Sequence, residues 1–157
     1  MKIILLLLLQ FFILTGIVIS IIPCLMDAQS QNIRFKHLTT NDGLSQSWVH
    51  SVIQDKYGFM WIGSEDGLNR YDGNSFRIYK NNFRDQYSIS NNGILTLFEN
   101  NKWDLWIGTR KGLNLYDRKN DRFIRYTRWP ERITSVAEDK DENLCVGTNV
   151  KLYYKNY

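Results

Sequence analysis

Trp61-Ile62-Gly63-Ser64 is the stretch that decides the fold, because the chain repeats it twice. It returns as Trp106-Ile107-Gly108-Thr109 and, in altered form, as Cys145-Val146-Gly147-Thr148, which places equivalent glycines 45 and 39 residues apart. The similarity continues downstream, where Gly67-Leu68-Asn69-Arg70-Tyr71-Asp72 matches Gly112-Leu113-Asn114-Leu115-Tyr116-Asp117 at the first of these spacings. Self-similarity at a period of about 20–50 residues is the sequence mark of a repeat architecture.

Each repeat is predicted to contain four short strands. In the first repeat the strands are expected at Trp48–Gln54, Phe59–Gly63, Leu68–Tyr71 and Phe76–Tyr79. These segments are rich in β-branched and aromatic residues, and glycine, aspartate and asparagine mark the turns between them. Four strands in about 40–45 residues are typical of a β-propeller blade. The sequence therefore predicts an all-β chain with about two and a half four-stranded blades of an incomplete ring.

The tryptophans of the repeat are expected in the packing between blades. Side chains alternate along a strand, so Trp61 and Gly63 share one face, and a large ring beside a glycine can lie flat against the neighbouring blade. An aromatic ring in such a place buries about 150–250 Å². Trp61 and Trp106 are therefore interpreted as blade-packing residues and not as ligand platforms. The smaller Cys145 requires the third blade to pack differently.

One strand-like segment, Ile33–Leu38, precedes the first repeat. It resembles the fourth strand of a unit, and the first strand of a closed propeller often completes the last blade. We therefore expect it to pair with strands near the C-terminus. Because propellers close with about 4–8 blades, we interpret the chain as a piece of a longer protein. Completion of the ring by other chains is the alternative.

The first 28 residues have the layout of an export signal. Lys2 precedes an almost continuous apolar run, Ile3–Ile22, and Ala28 offers a small residue for cleavage. The run is longer than the usual apolar core of about 7–15 residues and approaches the roughly 20 that span a bilayer. Residues 1–28 are therefore predicted to be a signal peptide or an uncleaved N-terminal anchor helix. Both interpretations place the blades of residues 29–157 outside the cytoplasm.

The composition favours a folded domain and excludes some partners. Of 157 residues, 43% are hydrophobic and 14% are aromatic, which is enough to build a packed core and too much for a disordered chain. The net charge of +4 comes from interspersed charges, and no basic run exceeds two residues. A nucleic-acid binder would carry a basic stripe or cluster. We therefore expect no nucleic-acid contact by this segment.

Longer sequence segments around the repeat resemble those of a known family. Asp42-Gly43-Leu44-Ser45-Gln46-Ser47, the segment Gln54–Gly73 and Tyr87-Ser88-Ile89-Ser90-Asn91-Asn92-Gly93-Ile94 resemble the two-component regulator propeller repeat. The resemblance covers residues 33–157. The third repeat departs from the family pattern, because it has Cys145 in the tryptophan position and no glycine at positions 150 and 151.

This resemblance implies the extracytoplasmic sensor region of a hybrid two-component regulator, on the periplasmic side of a bacterial inner membrane. Such regulators detect oligosaccharides with paired propellers. A β-sandwich, a membrane helix and cytoplasmic histidine kinase, receiver and DNA-binding parts follow the propellers. The resemblance therefore implies signalling by phosphorelay, an oligosaccharide ligand and a homodimer for the complete protein, and no cofactor. Membrane contact is expected only through the leader, if it stays uncleaved.

The sequence predicts no catalytic, cofactor-binding or metal-binding residue, and the chain is not expected to be an enzyme. His37 and His50 have no partner at metal-ligand spacing and are interpreted as surface or strand histidines. Glu65-Asp66 and Glu138-Asp139 are interpreted as solvated turn residues, and Asp139–Asn143 as a blade turn and not a calcium loop. Binding is the expected activity, with the binding residues left unassigned. The propeller loops that could meet a glycan carry Trp48, Asn81, Asn82, Phe83, Tyr87, Asn91, Asn92 and Trp129.

Two other interpretations stay open. One is a secreted propeller-type carbohydrate-binding protein, or a fragment of a polysaccharide-degrading enzyme on the same scaffold. The other is a degenerate gene product that never folds. The gene sequence beyond the codon for Tyr157 separates the sensor from the secreted protein.

Overall fold

The computed structural model describes residues 35–126, 128 and 131–155, with the backbone alone at Lys155. These residues form three antiparallel sheets, which we call blades 1, 2 and 3. Blade 1 contains β1 (Val49–Gln54), β2 (Met60–Ser64), β3 (Gly67–Tyr71) and β4 (Phe76–Tyr79). Blade 2 contains β5 (Ile94–Glu99), β6 (Leu105–Thr109), β7 (Gly112–Asp117) and β8 (Arg122–Tyr126). Blade 3 contains β9 (Ile133–Glu138), β10 (Leu144–Thr148) and β11 (Leu152–Lys155).

Within each blade, strands that follow one another in sequence are neighbours in the sheet. The prediction of an all-β fold with about two and a half blades is confirmed. The predicted strands of the first repeat differ from the observed ones by at most one residue at either end. The described residues do not form a closed ring.

The described blades belong to one compact unit that begins at His37. The predicted leader, residues 1–28, lies outside the described residues, so the choice between signal peptide and anchor stays a prediction. The part of the chain that the structure describes contains no helix of the length and apolar character needed to cross a bilayer.

The apolar core lies between the blades. One cluster joins blade 1 to blade 2 and includes Trp61 and Leu68 from the first blade with Ile94 and Ile107 from the second. A second cluster joins blade 2 to blade 3, where Trp106, Leu113, Ile133, Val136, Leu144 and Val146 are buried together. Trp61 is fully buried and Trp106 is 1% exposed. Both tryptophans are therefore blade-packing residues, as predicted.

Glycine at the third position of the Trp-Ile-Gly repeat allows the close approach of the next blade. A Cβ atom added to Gly63 would lie 2.6 Å from Cγ2 of Ile94, at the start of the first strand of blade 2. A Cβ atom added to Gly108 would lie 2.7 Å from Cγ2 of Ile133, which is the equivalent residue of blade 3. A larger residue at either position must displace the isoleucine of the neighbouring blade, and at Gly108 it also meets Cγ2 of Thr96 from its own sheet at 2.5 Å.

A repeated polar contact fixes the segment that leads into each of the first two blades. The buried Asn69 accepts a hydrogen bond from the backbone N–H of Ser45 at 2.9 Å. The buried Asn114 accepts the same bond from Ser90 at 3.0 Å. In each case the asparagine amide also donates to the serine hydroxyl at 2.9 Å. A buried amide that is satisfied in this way holds the linker against the third strand.

The expected strand at Ile33–Leu38 is not formed in its described part. Ile33 and Arg34 lie outside the described residues, and residues 35–38 have no strand structure, so the prediction is wrong there. Leu38 instead packs beside Leu44 and Ile62, on the face of blade 1 that points away from blade 2. Thr39 then caps a short 3-10 helix, Thr40–Asp42. The chain therefore turns into blade 1 directly after Leu38.

Blade 3 packs differently at the tryptophan position, as predicted. Cys145 lies opposite Tyr154 in the sheet. The hydroxyl of Tyr154 donates to Asp139, the residue equivalent to Asp55 of blade 1. The tyrosine on the neighbouring strand therefore supplies the donor that the indole of Trp61 supplies in blade 1.

Candidate functional site

An exposed tryptophan and three charged or titratable side chains lie together at one end of blades 1 and 2. We call this group, Trp48, His50, Glu65 and Arg110, the rim cluster. Nε2 of His50 lies 2.8 Å from Oε2 of Glu65, and Nη2 of Arg110 donates to the same carboxylate at 2.8 Å. The ring centroids of Trp48 and His50 are 6.0 Å apart. The Trp48 side chain is 66% exposed, so its ring is available to a ligand.

A β-bulge places His50 in this cluster. The pairing of β1 with β2 shifts between Val49 and Ser51, which leaves His50 as the extra residue. Blades 2 and 3 have the same irregularity at the start of their first strands, at Leu95 and Thr134. Bulges bend a strand and redirect a side chain. Here the bulge coincides with the contact between the imidazole and Glu65.

Arg110 reaches the cluster from the second blade, over a glycine. The backbone N–H of Arg110 donates to the carbonyl of Gly93 at 2.9 Å. A Cβ atom at Gly93 would lie 2.6 Å from Cδ of Arg110. Because Gly93 has no side chain, the arginine can lie across the linker and extend to Glu65 in the first blade.

Hydrogen bonds stabilise the charged forms of Glu65 and Arg110. Those from Arg110 and His50 lower the pKa of Glu65 from 4.5 to about 2. The hydrogen bond to Glu65 in turn raises the pKa of Arg110. At neutral pH the cluster therefore presents a carboxylate and a guanidinium beside an exposed aromatic ring. Such groups can bind a polar ligand with an apolar face. The ring supplies an apolar contact surface, and the charged groups supply directional hydrogen bonds.

Most of the other loop residues considered for glycan binding are used to fold the loops. Asn81 donates to the carbonyl of Ile89, and Asn92 donates to Asp66. Asn82 and Asn91 accept from backbone N–H groups two residues further on. These amides are therefore turn residues.

The described aromatic side chains of the same loops lie beside arginine side chains. Phe83 is 84% exposed, with the guanidinium of Arg84 5.2 Å from its ring centroid. Tyr87 lies under the guanidinium of Arg122 at 4.2 Å. Trp129 lies outside the described residues. The rim cluster is distinguished by an exposed tryptophan beside a carboxylate and a guanidinium that join two blades.

The acidic turns are less solvated than the sequence suggested. Glu65 bonds to His50 and Arg110, and Asp66 forms an ion pair with Lys80 at 2.6 Å. Sequence reasoning missed the contact between Glu65 and Arg110. These two residues hold the same position in successive repeats and have opposite charges, which is the signal that could have revealed it.

The remaining predictions for titratable residues agree with the structure. His37 is exposed, and His50 lies in a strand. Asp139 accepts from the backbone N–H groups of Asp141 and Asn143, so this segment is a blade turn as predicted.

Comparison with known proteins finds a matching family and a similar curated protein. Residues 43–66 match the family described as two component regulator propeller. Over 74 residues the chain is 49% identical to a histidine kinase of Formosa agariphila, an alignment that takes in 47% of this chain and 5% of the kinase.

Two solved structures share the fold. Both are extracellular domains of putative hybrid two component systems from B. thetaiotaomicron. The first has a TM-score of 0.68 and 29% sequence identity, over 76% of this chain and 18% of that domain. The second has a TM-score of 0.60 and 25% identity, over 68% of this chain and 16% of that domain.

The chain thus spans about a twentieth of the kinase and less than a fifth of either domain. The family match runs from Gly43 to Asp66, across the linker into blade 1 and the first two strands of that blade. Blade 2 repeats the same linker contact and the same packing tryptophan. Residues 43–66 are therefore similar to the two-component regulator propeller repeat, in agreement with the resemblance in the sequence.

Proposed function

We propose that this chain is part of the extracytoplasmic sensor region of a hybrid two-component regulator, and that the complete protein detects oligosaccharides. The observation that carries the proposal is the similarity of the blades, in sequence and in structure, to extracellular domains of such systems. The identity to a histidine kinase over 74 residues supports the same class of signalling protein. The chain contributes sensing, and kinase activity belongs to other parts of the regulator.

The location and assembly of the protein form part of the same proposal. The leader at residues 1–28 directs the blades to the periplasmic side of the inner membrane. The complete protein acts as a homodimer, in which ligand binding shifts the propellers and the shift crosses the membrane. The blades described here are one portion of each propeller.

The rim cluster is the place in this chain that suits an oligosaccharide best. The exposed face of Trp48 can pack against the C–H groups of a sugar ring, and Glu65 with Arg110 can bond to its hydroxyl groups. Glu65 belongs to blade 1 and Arg110 to blade 2. A sugar that competes for their hydrogen bonds would therefore act on a contact between two blades.

The gene itself gives the first test. The reading frame is expected to continue beyond the codon for Tyr157 through further blades to a membrane helix and a histidine kinase. A stop codon immediately after Tyr157 would contradict the sensor function and would favour the secreted protein.

A second test addresses the ligand. The full-length protein in membrane vesicles is expected to change its autophosphorylation rate with one member of a panel of neutral oligosaccharides. Trp48→Ala should weaken that response at least severalfold, because the ring supplies the stacking surface. Trp103→Ala, at a tryptophan that is 50% exposed in the turn between β5 and β6, is the matched control and should respond normally. A full response in the Trp48→Ala variant would remove the rim cluster from the proposal.

A further inference from the structure

A cavity opens between blades 1 and 2 at the end of the sheets opposite the rim cluster. Its volume is about 450 Å³, within the range of small-ligand sites. Blade 1 and its first turn contribute Tyr57, Phe59 and Arg70, and blade 2 with its last turn contributes Tyr116, Arg118 and Lys119. The lining therefore contains three cations and no carboxylate.

Arg118 forms one wall of this cavity and is already neutralised. Its guanidinium donates to Asp55 at 2.7 Å and to Glu99 at 2.5 Å. It also lies 5.0 Å from the ring centroid of Tyr57. Because Nη1 and Nη2 of Arg118 are both bonded to carboxylates, this residue shapes the site. The binding of an anion is left to the other two cations.

Arg70 is held in place and keeps most of its donors free. Its guanidinium lies 4.7 Å from the ring centroid of Phe59. It donates one hydrogen bond, to the hydroxyl of Tyr116 at 3.2 Å. Within the part of the chain that the structure describes, Arg70 forms no ion pair. A guanidinium has five N–H donors, so this one is positioned for a ligand that accepts several of them.

A carboxylate close to Arg70, that of Asp121, is bonded to other donors. Asp121 accepts hydrogen bonds from the hydroxyls of Tyr116 at 2.5 Å and Tyr79 at 2.7 Å. It also forms an ion pair with Arg77. These three donors occupy the carboxylate, and Arg70 donates no hydrogen bond to it, although the charge of Arg70 helps to lower the pKa of Asp121.

Lys119 supplies a second unmatched positive charge at the mouth of the cavity. Its side chain is exposed, and in the described segments no acidic group or hydrogen-bond acceptor pairs with it. A flexible ammonium group beside a fixed guanidinium is an arrangement that suits a compact anion, because the guanidinium gives direction and the ammonium adds charge.

We propose that this cavity binds a compact oxyanion, a carboxylate or a sulfate, between Arg70 of blade 1 and Lys119 of blade 2. The group can belong to an acidic saccharide or be a free anion, because both present the same oxygen atoms to the two cations. Binding there joins the two blades at the end opposite the rim cluster. The site is therefore separate from the one proposed for a neutral sugar.

The test is an NMR titration of the ¹⁵N-labelled chain with glucuronate, with inorganic sulfate and with glucose. Glucuronate or sulfate is expected to shift the signals of Tyr57, Phe59 and Tyr116, and glucose to leave them unchanged. The tighter of the two anions identifies the source of the oxyanion. Higher sodium chloride should weaken the binding, because salt screens exposed charges.

Two variants and one control complete the test. Lys119→Gln removes the charge of a side chain without a structural partner and should weaken anion binding by about twofold to fivefold. Arg70→Lys keeps the charge and removes the fork, and should weaken binding by about tenfold. Lys140→Gln, in an exposed turn of blade 3, should leave it unchanged.

Three results would overturn the proposal. They are no shift with either anion, an equal shift with glucose, or unchanged binding in both variants. None of them affects the test of Trp48, so failure of this site and failure of the sensor function are distinguishable.

Discussion

A single oxygen atom decides whether the indole N–H of the packing tryptophan has a hydrogen-bond partner. In blade 1, Oδ2 of Asp55 accepts from the indole N–H of Trp61 at 2.8 Å. Blade 2 has Asn100 at the same position, and its oxygen accepts from the backbone N–H groups of Lys102 and Asp104. The other end of an amide is a donor, so Asn100 has no free acceptor for the indole. Among the described residues, the N–H of Trp106 is a buried donor without a partner.

This difference predicts unequal costs for two equivalent substitutions. Trp61→Phe and Trp106→Phe remove similar apolar area from buried sites, but only the first breaks a hydrogen bond. We expect Trp61→Phe to lower the free energy of unfolding by about 1 kcal/mol more than Trp106→Phe. Urea denaturation of the two variants and the wild type measures the difference. Equal losses would show that the bond to Asp55 contributes no net stability.

The ion pair in the rim cluster predicts a pH dependence. The pKa of Glu65 is lowered from 4.5 to about 2 in the folded chain. A carboxyl whose pKa is lower in the folded state stabilises it above the unfolded pKa and loses that effect as the pH falls through the folded pKa. The difference in melting temperature between the wild type and Glu65→Gln should therefore be full above pH 4.5 and vanish near pH 2.

NMR titration of the Glu65 carboxyl checks the cause of this shift. Arg110→Gln removes the hydrogen bond that contributes most to it, so the midpoint should move up toward 4.5 in that variant. A midpoint near 4.5 in the wild type would show that the contact between the two blades is not formed in solution.

At the scale of the strand, the repeated glycine controls how closely two blades approach. Gly63 and Gly108 each lie under an isoleucine of the next blade, with a space too small for a methyl group. Gly147 holds the same position in blade 3. A Cβ atom there would meet the hydroxyl oxygen of Ser135 from its own sheet at 2.2 Å, which a rotation of the serine side chain can relieve. Gly63 and Gly147 therefore form the matched pair, while an atom added to Gly108 meets both the next blade and Thr96 of its own sheet.

Alanine substitution at these glycines should distinguish the cost of a clash between two blades from the cost of placing alanine in the strand. Gly63→Ala and Gly108→Ala should each lower the free energy of unfolding by about 1–3 kcal/mol, the usual cost of overpacking a core. Gly147→Ala should cost less, because only a movable hydroxyl stands in the way. Thermal and urea denaturation of the three variants give the comparison. A cost at Gly147 equal to the other two would mean that alanine disturbs the strand and not the packing of blades.

The strands could be predicted from the sequence, and the contacts between blades only in part. Alternation of side chains placed Trp61 and Gly63 on one face, which is sufficient to predict the packing of blade 1 on blade 2. It could not reveal that Asn100 leaves Trp106 unbonded, because that depends on which end of an amide faces the ring. It also missed the pair of Glu65 and Arg110, since neither residue is unusual within its own turn.

The cavity between the blades was beyond sequence reasoning for a different reason. Arg70 and Lys119 lie in different repeats and at different positions within them. Their proximity follows from the angle between two sheets, which no local pattern encodes. At residues 35–38, by contrast, the sequence predicted a strand that the structure does not contain. Their resemblance to the fourth strand of a unit favoured a strand, but a strand also needs a partner edge, and Leu38 is used instead to cover blade 1.

The whole molecule is held together by cores that each join two neighbouring blades. The first cluster contains residues of blades 1 and 2, and the second contains residues of blades 2 and 3. The first strands follow the same order, with β1 next to β5 and β5 next to β9. In repeat proteins, stability is approximately the sum of the stabilities of the units and of the contacts between nearest neighbours. The blades should therefore lose structure in turn, beginning where a core is weakened.

Two equivalent isoleucines test this view. Ile94 and Ile133 are both fully buried, the first in the core between blades 1 and 2 and the second in the core between blades 2 and 3. Replacing either with alanine should cost about 2–5 kcal/mol at its own interface. Under the nearest-neighbour view, Ile133→Ala should reduce amide hydrogen-exchange protection in β9, β10 and β11 and leave β2 and β3 almost unchanged. Ile94→Ala should reduce protection in blade 1 as well. If Ile133→Ala lowered protection equally in all three blades, the molecule would unfold as one cooperative unit, and the cores would not act as separate links between neighbours.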